Sequence, residues 1–258
     1  MPYDKQFISF YTILRKGVRR IFRIWSQTLL PSVVTSVLYF AVFGTILGSR
    51  IGELHGVPYI LFVVPGLVML AVITNSYMEV ASTFFFSKFF QRIIDEILVS
   101  PTPPAIIIAG FVGNGVIRGM LVGILVMLVS LFFALPSVAH PLIVVLFLFL
   151  SSLVFALGGL INGIYGKSFD GISIVPTFVL TPLVYLGGVF YSITSLPPVW
   201  QTVSLFNPIL YIVNGFRYGF LGTSDVSPLT CVLVLLALMA ILLGVNISLL
   251  NKGLGLKQ

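Results

Sequence analysis

The chain has 258 residues, of which 58% are hydrophobic and only 8% charged, and its mean hydropathy is +1.14. A soluble domain carries roughly 25% charged residues, so a hydrated globular surface is excluded. About six spans of ~20 residues use up this length and leave no room for a soluble catalytic domain. The formal charge of +7 would suit nucleic acid if it were spread over a soluble face. Here it gathers at segment ends, where an excess of Lys and Arg marks cytoplasmic loops and attracts anionic lipid headgroups.

The first element is amphipathic. Across residues 5–25, Phe7, Phe10, Tyr11, Leu14, Val18, Ile21, Phe22 and Trp25 share one face, and Lys5, Arg15, Lys16, Arg19, Arg20 and Arg23 occupy the other. This predicts an interfacial helix on the cytoplasmic surface. The segment lacks the apolar core and small-residue cleavage site of a signal peptide and reads as mature sequence. Span 1 is expected at about Leu29–Gly48, with Pro31 in its first turn. A polar outer loop follows (Arg50, Glu53, His55), and span 2 at about Pro58–Ser82 returns to the cytoplasm.

Residues 84–98 form a second amphipathic stretch. Phe86, Phe89, Phe90, Ile93, Ile94, Ile97 and Leu98 recur at helical spacing opposite Ser87, Lys88, Gln91, Arg92, Asp95 and Glu96, which predicts a helix lying in the inner interface. Ser100-Pro101-Thr102-Pro103-Pro104 ends it. Span 3 is expected at about Ala105–Phe133, an outer turn at Pro136–Pro141, span 4 at Leu142–Tyr165, an inner loop with Lys167 and Asp170, and span 5 at Ile172–Tyr191. Residues 193–222 are apolar, but Pro197-Pro198 and Asn207-Pro208 cut them into pieces too short to cross. Two short re-entrant helices in the outer half of the membrane are expected there. Span 6, at about Pro228–Leu250, precedes a tail with Lys252 and Lys257.

Of the 14 Lys and Arg, eleven fall on the inner side of this scheme, Arg50 and Arg217 outside, and Arg118 within span 3. A seventh span through 193–222 would strand the C-terminal lysines outside. The reading is an all-α polytopic membrane protein, a single permease domain over 1–258, with both termini cytoplasmic.

Motifs for covalent chemistry are weak. Gly166-Lys167-Ser168 resembles the end of a phosphate-binding loop, but Ile161 stands where that pattern needs glycine. Neither Gly-x-Ser-x-Gly nor His-Glu-x-x-His occurs. His55 and His140 have no acid at ligand spacing, and Cys231 is the single cysteine, so no metal site, disulfide or catalytic residue is expected. Glycines spaced by four (Gly44, Gly48, Gly52; Gly115, Gly119, Gly123; Gly159, Gly163) predict close helix packing.

Ionisable groups inside spans are costly and often functional. Arg118 is expected about 20 Å into span 3 at 1.5 Å per residue, one turn after Asn114, and Glu79 near the inner end of span 2. The two depths differ by more than a turn, so pairing would require staggered helices. Tyr185, Phe190, Tyr191, Trp200, Tyr211, Phe216 and Tyr218 are candidates for lining an outer exit.

The order of these features carries a resemblance. The basic amphipathic N-terminus, Val64-Pro65-Gly66-Leu67, Asp95-Glu96-Ile97-Leu98-Val99-Ser100-Pro101, Gly187-Gly188-Val189-Phe190-Tyr191, Leu205-Phe206-Asn207-Pro208 and Gly215-Phe216-Arg217-Tyr218 together resemble the membrane subunit of type-2 ATP-binding-cassette exporters, over essentially the whole chain. The resemblance implies a homodimer of six-span subunits in a bacterial inner membrane, bound to two copies of a separate ATPase that carries the ATP and Mg. It implies that 84–98 is the coupling helix, with Lys88, Gln91, Arg92, Asp95 and Glu96 facing the ATPase, and that 5–25 braces it. It also implies that Asn207, Pro208, Arg217 and Tyr218 belong to an outer closure, with Glu79, Asn114, Arg118, Tyr185, Phe190 and Tyr191 along the path. The cargo expected is hydrophobic or amphipathic. A rival class is a secondary transporter or channel, with Glu79 as the acid for a coupling ion; another is a scaffold or insertion subunit.

Overall fold

The structure, a computed structural model, describes residues 3–54, 56–90, 94, 96, 100, 102–135 and 138–253. Of the residues singled out above, His55, Gln91, Arg92, Ile93, Asp95, Ile97, Leu98, Val99, Pro101, Pro136 and Lys257 lie outside the described set, and with them most of the expected 84–98 coupling helix beyond Phe90. The described elements in chain order are α1 (Tyr3–Arg23), α2 (Trp25–Ile51), a hairpin of β1 (Glu53–Leu54) and β2 (Val57–Pro58), α3 (Tyr59–Phe89), α4 (Pro104–Ser130), α5 (Pro141–Tyr165), α6 (Phe169–Leu186), α7 (Pro198–Leu205), α8 (Pro208–Leu221) and α9 (Pro228–Lys252).

Six of these, α2 to α6 and α9, are long and apolar enough to cross a membrane. Proline sets several starts: Pro104, Pro141, Pro208 and Pro228 each sit in a helix's first turn, where the missing N–H costs nothing. Ser227 caps α9 by accepting from the Thr230 N–H, and Gly222 and Gly253 close α8 and α9 in the left-handed conformation.

Helix α3 is the axis of the molecule. Of its most apolar stretch 72% is buried, against 17% for α2 and α6 and 11% for α9. It packs chiefly on α4 and α5, and glycines allow the approach. A Cβ on Gly119 would overlap the Ser76 and Ser152 hydroxyls, and one on Gly159 would stand 2.3 Å from the Tyr77 carbonyl oxygen. Gly115 and Gly163 meet the same face of α3 at Val80 and Ala81. Thus the Gly115 and Gly159 series pack within the chain, whereas a Cβ at Gly52 would meet nothing and that residue instead makes a positive-φ turn.

Helix α3 runs unbroken past the end expected at Ser82 to Phe89. The first turn of the stretch read as interfacial therefore belongs to span 2. No proline or glycine interrupts Ser82–Phe89, and Phe84 and Phe85 are buried, with Phe84 edge-on to Phe111 of α4. Protein rather than lipid covers their apolar face.

Spans α2 and α6 each contain a π-helical segment, Phe40–Leu47 and Pro176–Leu180. Such widened turns concentrate at functional sites. The 193–222 region holds a 3₁₀ turn (Ile193–Ser195), α7 and α8, and both α helices are too short to span.

Candidate functional site

An ion cluster joins four segments, α1 to α4. Glu79, on the buried face of α3, has a fully buried side chain flanked by two guanidiniums. Arg118 of α4 donates from Nη1 to Glu79 Oε2 at 2.6 Å, and from Nη2 to the Thr28 carbonyl of α2 at 3.0 Å and to Asn75 Oδ1 at 3.2 Å. Arg20 of α1 donates from Nη2 to Glu79 Oε1 at 2.5 Å and to the Thr83 hydroxyl. Asn75 Oδ1 also accepts from Ser32 Oγ of α2 at 3.1 Å. The triad carries a net charge of +1 and fastens α1, α2 and α4 to α3.

The pairing of Arg118 with Glu79 needs no large stagger of the helices. Counted from Phe89, Glu79 lies about 15 Å along α3, and Arg118 lies about 21 Å from Pro104 at 1.5 Å per residue. The remaining ~6 Å of rise is within reach of an arginine side chain. An end at Ser82 puts Glu79 within a turn of the helix terminus, whereas the helix continues to Phe89.

Arg20 was assigned to the solvated face of α1, but it lies beside Gly17 and Ile21, both buried. Gly17 rests on Asn114, whose Nδ2 donates to the Ile13 carbonyl at 3.4 Å. Asn75, Thr28 and Ser32 gave no signal, since one polar residue in an apolar helix does not disclose its partner.

A cavity of about 330 Å³ opens between α2, α3 and α6. Ser32, Thr35, Ser36, Thr74, Asn75 and Thr181 give it a polar wall. Tyr39, Tyr185 and Phe190 add an aromatic part to the lining, where Phe190 stacks on Phe43 at 4.5 Å and on Tyr185 at 5.7 Å.

The region from Gly187 to Asp225 is tied down by side chains. Asn207 caps α8 by accepting from the Ile209 N–H, while its Nδ2 donates to the Leu183 carbonyl of α6 at 2.6 Å. Pro208 is the first residue of α8. Arg217, 2% exposed, donates to the Gly188 carbonyl at 2.7 Å and stacks over the Phe62 ring at 3.8 Å. Tyr59 of α3 donates to the Phe190 carbonyl at 3.0 Å, and the Tyr191 hydroxyl donates to the Tyr185 carbonyl at 2.8 Å. Asp225, not anticipated from sequence, accepts from Ser192 Oγ and the Ile193 N–H, and its own N–H donates to Asn214 Oδ1.

Among the exit candidates the structure separates two groups. Tyr185 and Phe190 line the cavity, whereas Phe216 is fully buried in the core, Tyr218 stacks on His140 at 5.2 Å, and Tyr211 donates to the Leu205 carbonyl. Trp200 is exposed on α7.

Lys88, a residue the resemblance implies faces the ATPase, is buried in the single chain. It is 8% exposed, donates from Nζ to the Ile164 carbonyl at 3.1 Å and lies over the Phe89 ring. It closes the C-terminal end of α5, where a cation is favoured. Glu96 is exposed, and with α1 and the inner ends of α3 and α4 it borders a second cavity of about 900 Å³.

Residues 8–221 match the ABC-2 type transporter family. The chain is 53% identical, over 97% of its length and 98% of the relative's, to the inner membrane transport permease YadH of Escherichia coli (strain K12). It is 26% identical, over 80% of both chains, to nodulation protein J of Rhizobium meliloti (strain 1021).

Proposed function

The chain belongs to the ABC-2 type transporter family and is the membrane component of an ABC transporter; on that premise we propose that it is the permease half of an ATP-driven exporter of a hydrophobic or amphipathic substrate. Its working unit is a homodimer with two copies of a cytosolic ATPase, which carries the ATP and Mg. It resides in a bacterial inner membrane, in keeping with the inner membrane permease it resembles at 53% identity, and both termini are cytoplasmic.

The observation that carries this reading is the continuity of α3. One buried helix begins at Tyr59, hydrogen-bonded to the aromatic cap, and ends at Phe89, where the coupling segment begins. Glu79 pins α1 and α4 to it on the way. A push on the coupling segment is thereby delivered to a rod and its clamped neighbours rather than dissipated in a loop. Dimerisation through α2 and α6 is supported by the polar cavity they flank. Closing two such half-cavities on each other makes the path.

The coupling surface is assigned to Gln91, Arg92, Asp95 and Glu96, with Lys88 serving α5 instead. An ion-coupled transporter is disfavoured by the same triad: a carboxylate clamped by two guanidiniums is poorly placed to take up and release a cation. Affinity purification of the chain in mild detergent, with mass spectrometry of its partners, tests the proposal. An equimolar cytosolic ATPase is expected, lost on Arg92→Glu or on Asp95→Ala with Glu96→Ala at unchanged yield of the chain. A homo-oligomer free of ATPase would overturn it.

A further inference from the structure

The cavity of about 900 Å³ between α1, α3 and α4 has a basic and an apolar lining, and we infer that it binds an anionic phospholipid whose headgroup carries a free hydroxyl, with the phosphate on the α1 guanidiniums and the hydroxyl on Asn114. The lipid is a resident ligand rather than cargo, and its site requires neither the ATPase nor a direction of transport.

The basic lining is a row on α1. Arg15, Arg19 and Arg23 recur every four residues, are exposed, and border the cavity. Like charges at that spacing repel, and no acid lies between Lys5 and Arg23 to relieve them. None of the three forms an ion pair with a described acid. Among the described residues Glu96 is the only acid in the lining, so the cavity keeps a positive excess. Guanidiniums suit phosphate oxygens, which they hold through paired N–H···O bonds.

Two buried polar atoms have no hydrogen-bond partner among the described residues, Asn114 Oδ1 and Arg20 Nε, and both side chains line the cavity. Asn114 is 2% exposed, and Gly17 packs directly on its carboxamide, which holds that group in place. A carboxamide oxygen only accepts. It therefore calls for a donor, and a phosphate diester has none, whereas a headgroup hydroxyl has one. An ammonium headgroup would also donate, but it would add a cation to a lining already in excess. Arg20 Nε offers the phosphate a further donor.

The apolar lining decides between a lipid and a water-soluble anion or an acidic protein surface. Ile8, Tyr11, Phe86 and Phe111 border the same cavity. Tyr11 shares its face of α1 with Phe7, Phe22 and Trp25, each more than half exposed. Arg15 lies over the Tyr11 ring at 5.7 Å, so the cation row and the apolar stripe meet edge to edge. In a chain with six helices fit to cross a membrane, that stripe meets acyl chains. A phospholipid satisfies both linings at once, its chain along the stripe and its phosphate at the row.

Native mass spectrometry of the full chain, released from uncharged micelles, tests the site. The probes are phosphatidylglycerol, phosphatidylmethanol, phosphatidylethanolamine and phosphatidylcholine with identical acyl chains, and inorganic phosphate. One saturable phosphatidylglycerol per chain is expected, bound about tenfold tighter than the ethanolamine and choline lipids. It should also bind tighter than phosphatidylmethanol, which has the phosphate but no hydroxyl. Arg15→Gln with Arg19→Gln should weaken phosphatidylglycerol about tenfold. Arg50→Gln with Lys252→Gln, the same loss of charge outside the lining, should not. Asn114→Ala should abolish the preference over phosphatidylmethanol; melting temperatures of the variants verify folding. Equal binding of the choline lipid, equal effects of the two charge variants, a preference that survives Asn114→Ala, or displacement by inorganic phosphate would each overturn the assignment. Displacement of the lipid by a co-purified ATPase would do so too, giving the cavity to a protein surface. The lipid measurements use the chain alone, so their failure leaves the co-purification result standing.

Discussion

Replacing Glu79 by glutamine should destabilise the protein by several kcal/mol, and repairing the charge balance should restore stability without restoring function. The Glu79 side chain is fully buried and its two partners differ in exposure, 15% for Arg118 and 36% for Arg20. Removing one member of a buried pair costs about 3–5 kcal/mol, since the other charge is left uncompensated, and an exposed pair contributes only about 0–1 kcal/mol. Arg118 keeps its bonds to Thr28 and Asn75 when the carboxylate goes, which places the expected loss at the lower end, about 3 kcal/mol. Arg20→Gln, at the more exposed arm, should cost about 1 kcal/mol. Apolar replacement of a whole buried pair is often neutral or stabilising, so Glu79→Leu with Arg118→Met should recover most of the loss. Detergent-induced unfolding of the purified chain in mixed micelles, followed by circular dichroism, measures these differences. A Glu79→Gln chain that unfolds with the wild type, or an Arg20→Gln loss exceeding that of Arg118→Gln, would refute the hierarchy of burial on which the numbers rest.

Other outcomes follow from single contacts. Gly159→Ala should destabilise by about 1–3 kcal/mol, the cost of overpacking, because its methyl would stand 2.3 Å from a backbone oxygen of α3; the same unfolding assay reads it. Asn207→Ala removes a helix cap and the tie to Leu183, and should cost about 1–2 kcal/mol with faster amide exchange confined to the first turn of α8. Arg217→Lys should speed exchange across Gly187–Ser192, since an ammonium cannot both stack on Phe62 and reach Gly188 as the planar guanidinium does. Lys88→Ala should leave ATPase co-purification intact while lowering stability, whereas Glu96→Lys should reduce co-purification at normal stability.

Span number and order were legible because apolar runs bounded by proline and charge leave few ways to cross a bilayer. The fragmentation of 193–222 was legible for the same reason: Pro197-Pro198 and Asn207-Pro208 admit no continuous helix. The end of α3 was not. The Phe84–Phe89 pattern fits equally an apolar face on lipid and one on α4, and periodicity does not say what covers a face. That one boundary concealed the pairing of Glu79 with Arg118, because depth along a helix is counted from its end. Arg20 and Asp225 were missed for a related reason: a charged residue beside an apolar segment reads as solvated until a neighbouring element is shown to reach it. The aromatic candidates divided, with Phe216 in the core and Phe190 at the cavity, since residue type does not distinguish a buried ring from a gating one.

The most direct test of the account is a distance across the dimer in the purified complex. A spin label on Val199→Cys, on the exposed side of α7, reports the separation of the two outer closures by pulsed electron resonance, with and without ATP and vanadate. The account predicts that nucleotide trapping shifts this distance in the wild type and that the shift is lost in Glu79→Gln complexes that still bind ATP. An unchanged distance in a complex that hydrolyses ATP, or the same shift with Glu79 neutralised, would contradict it.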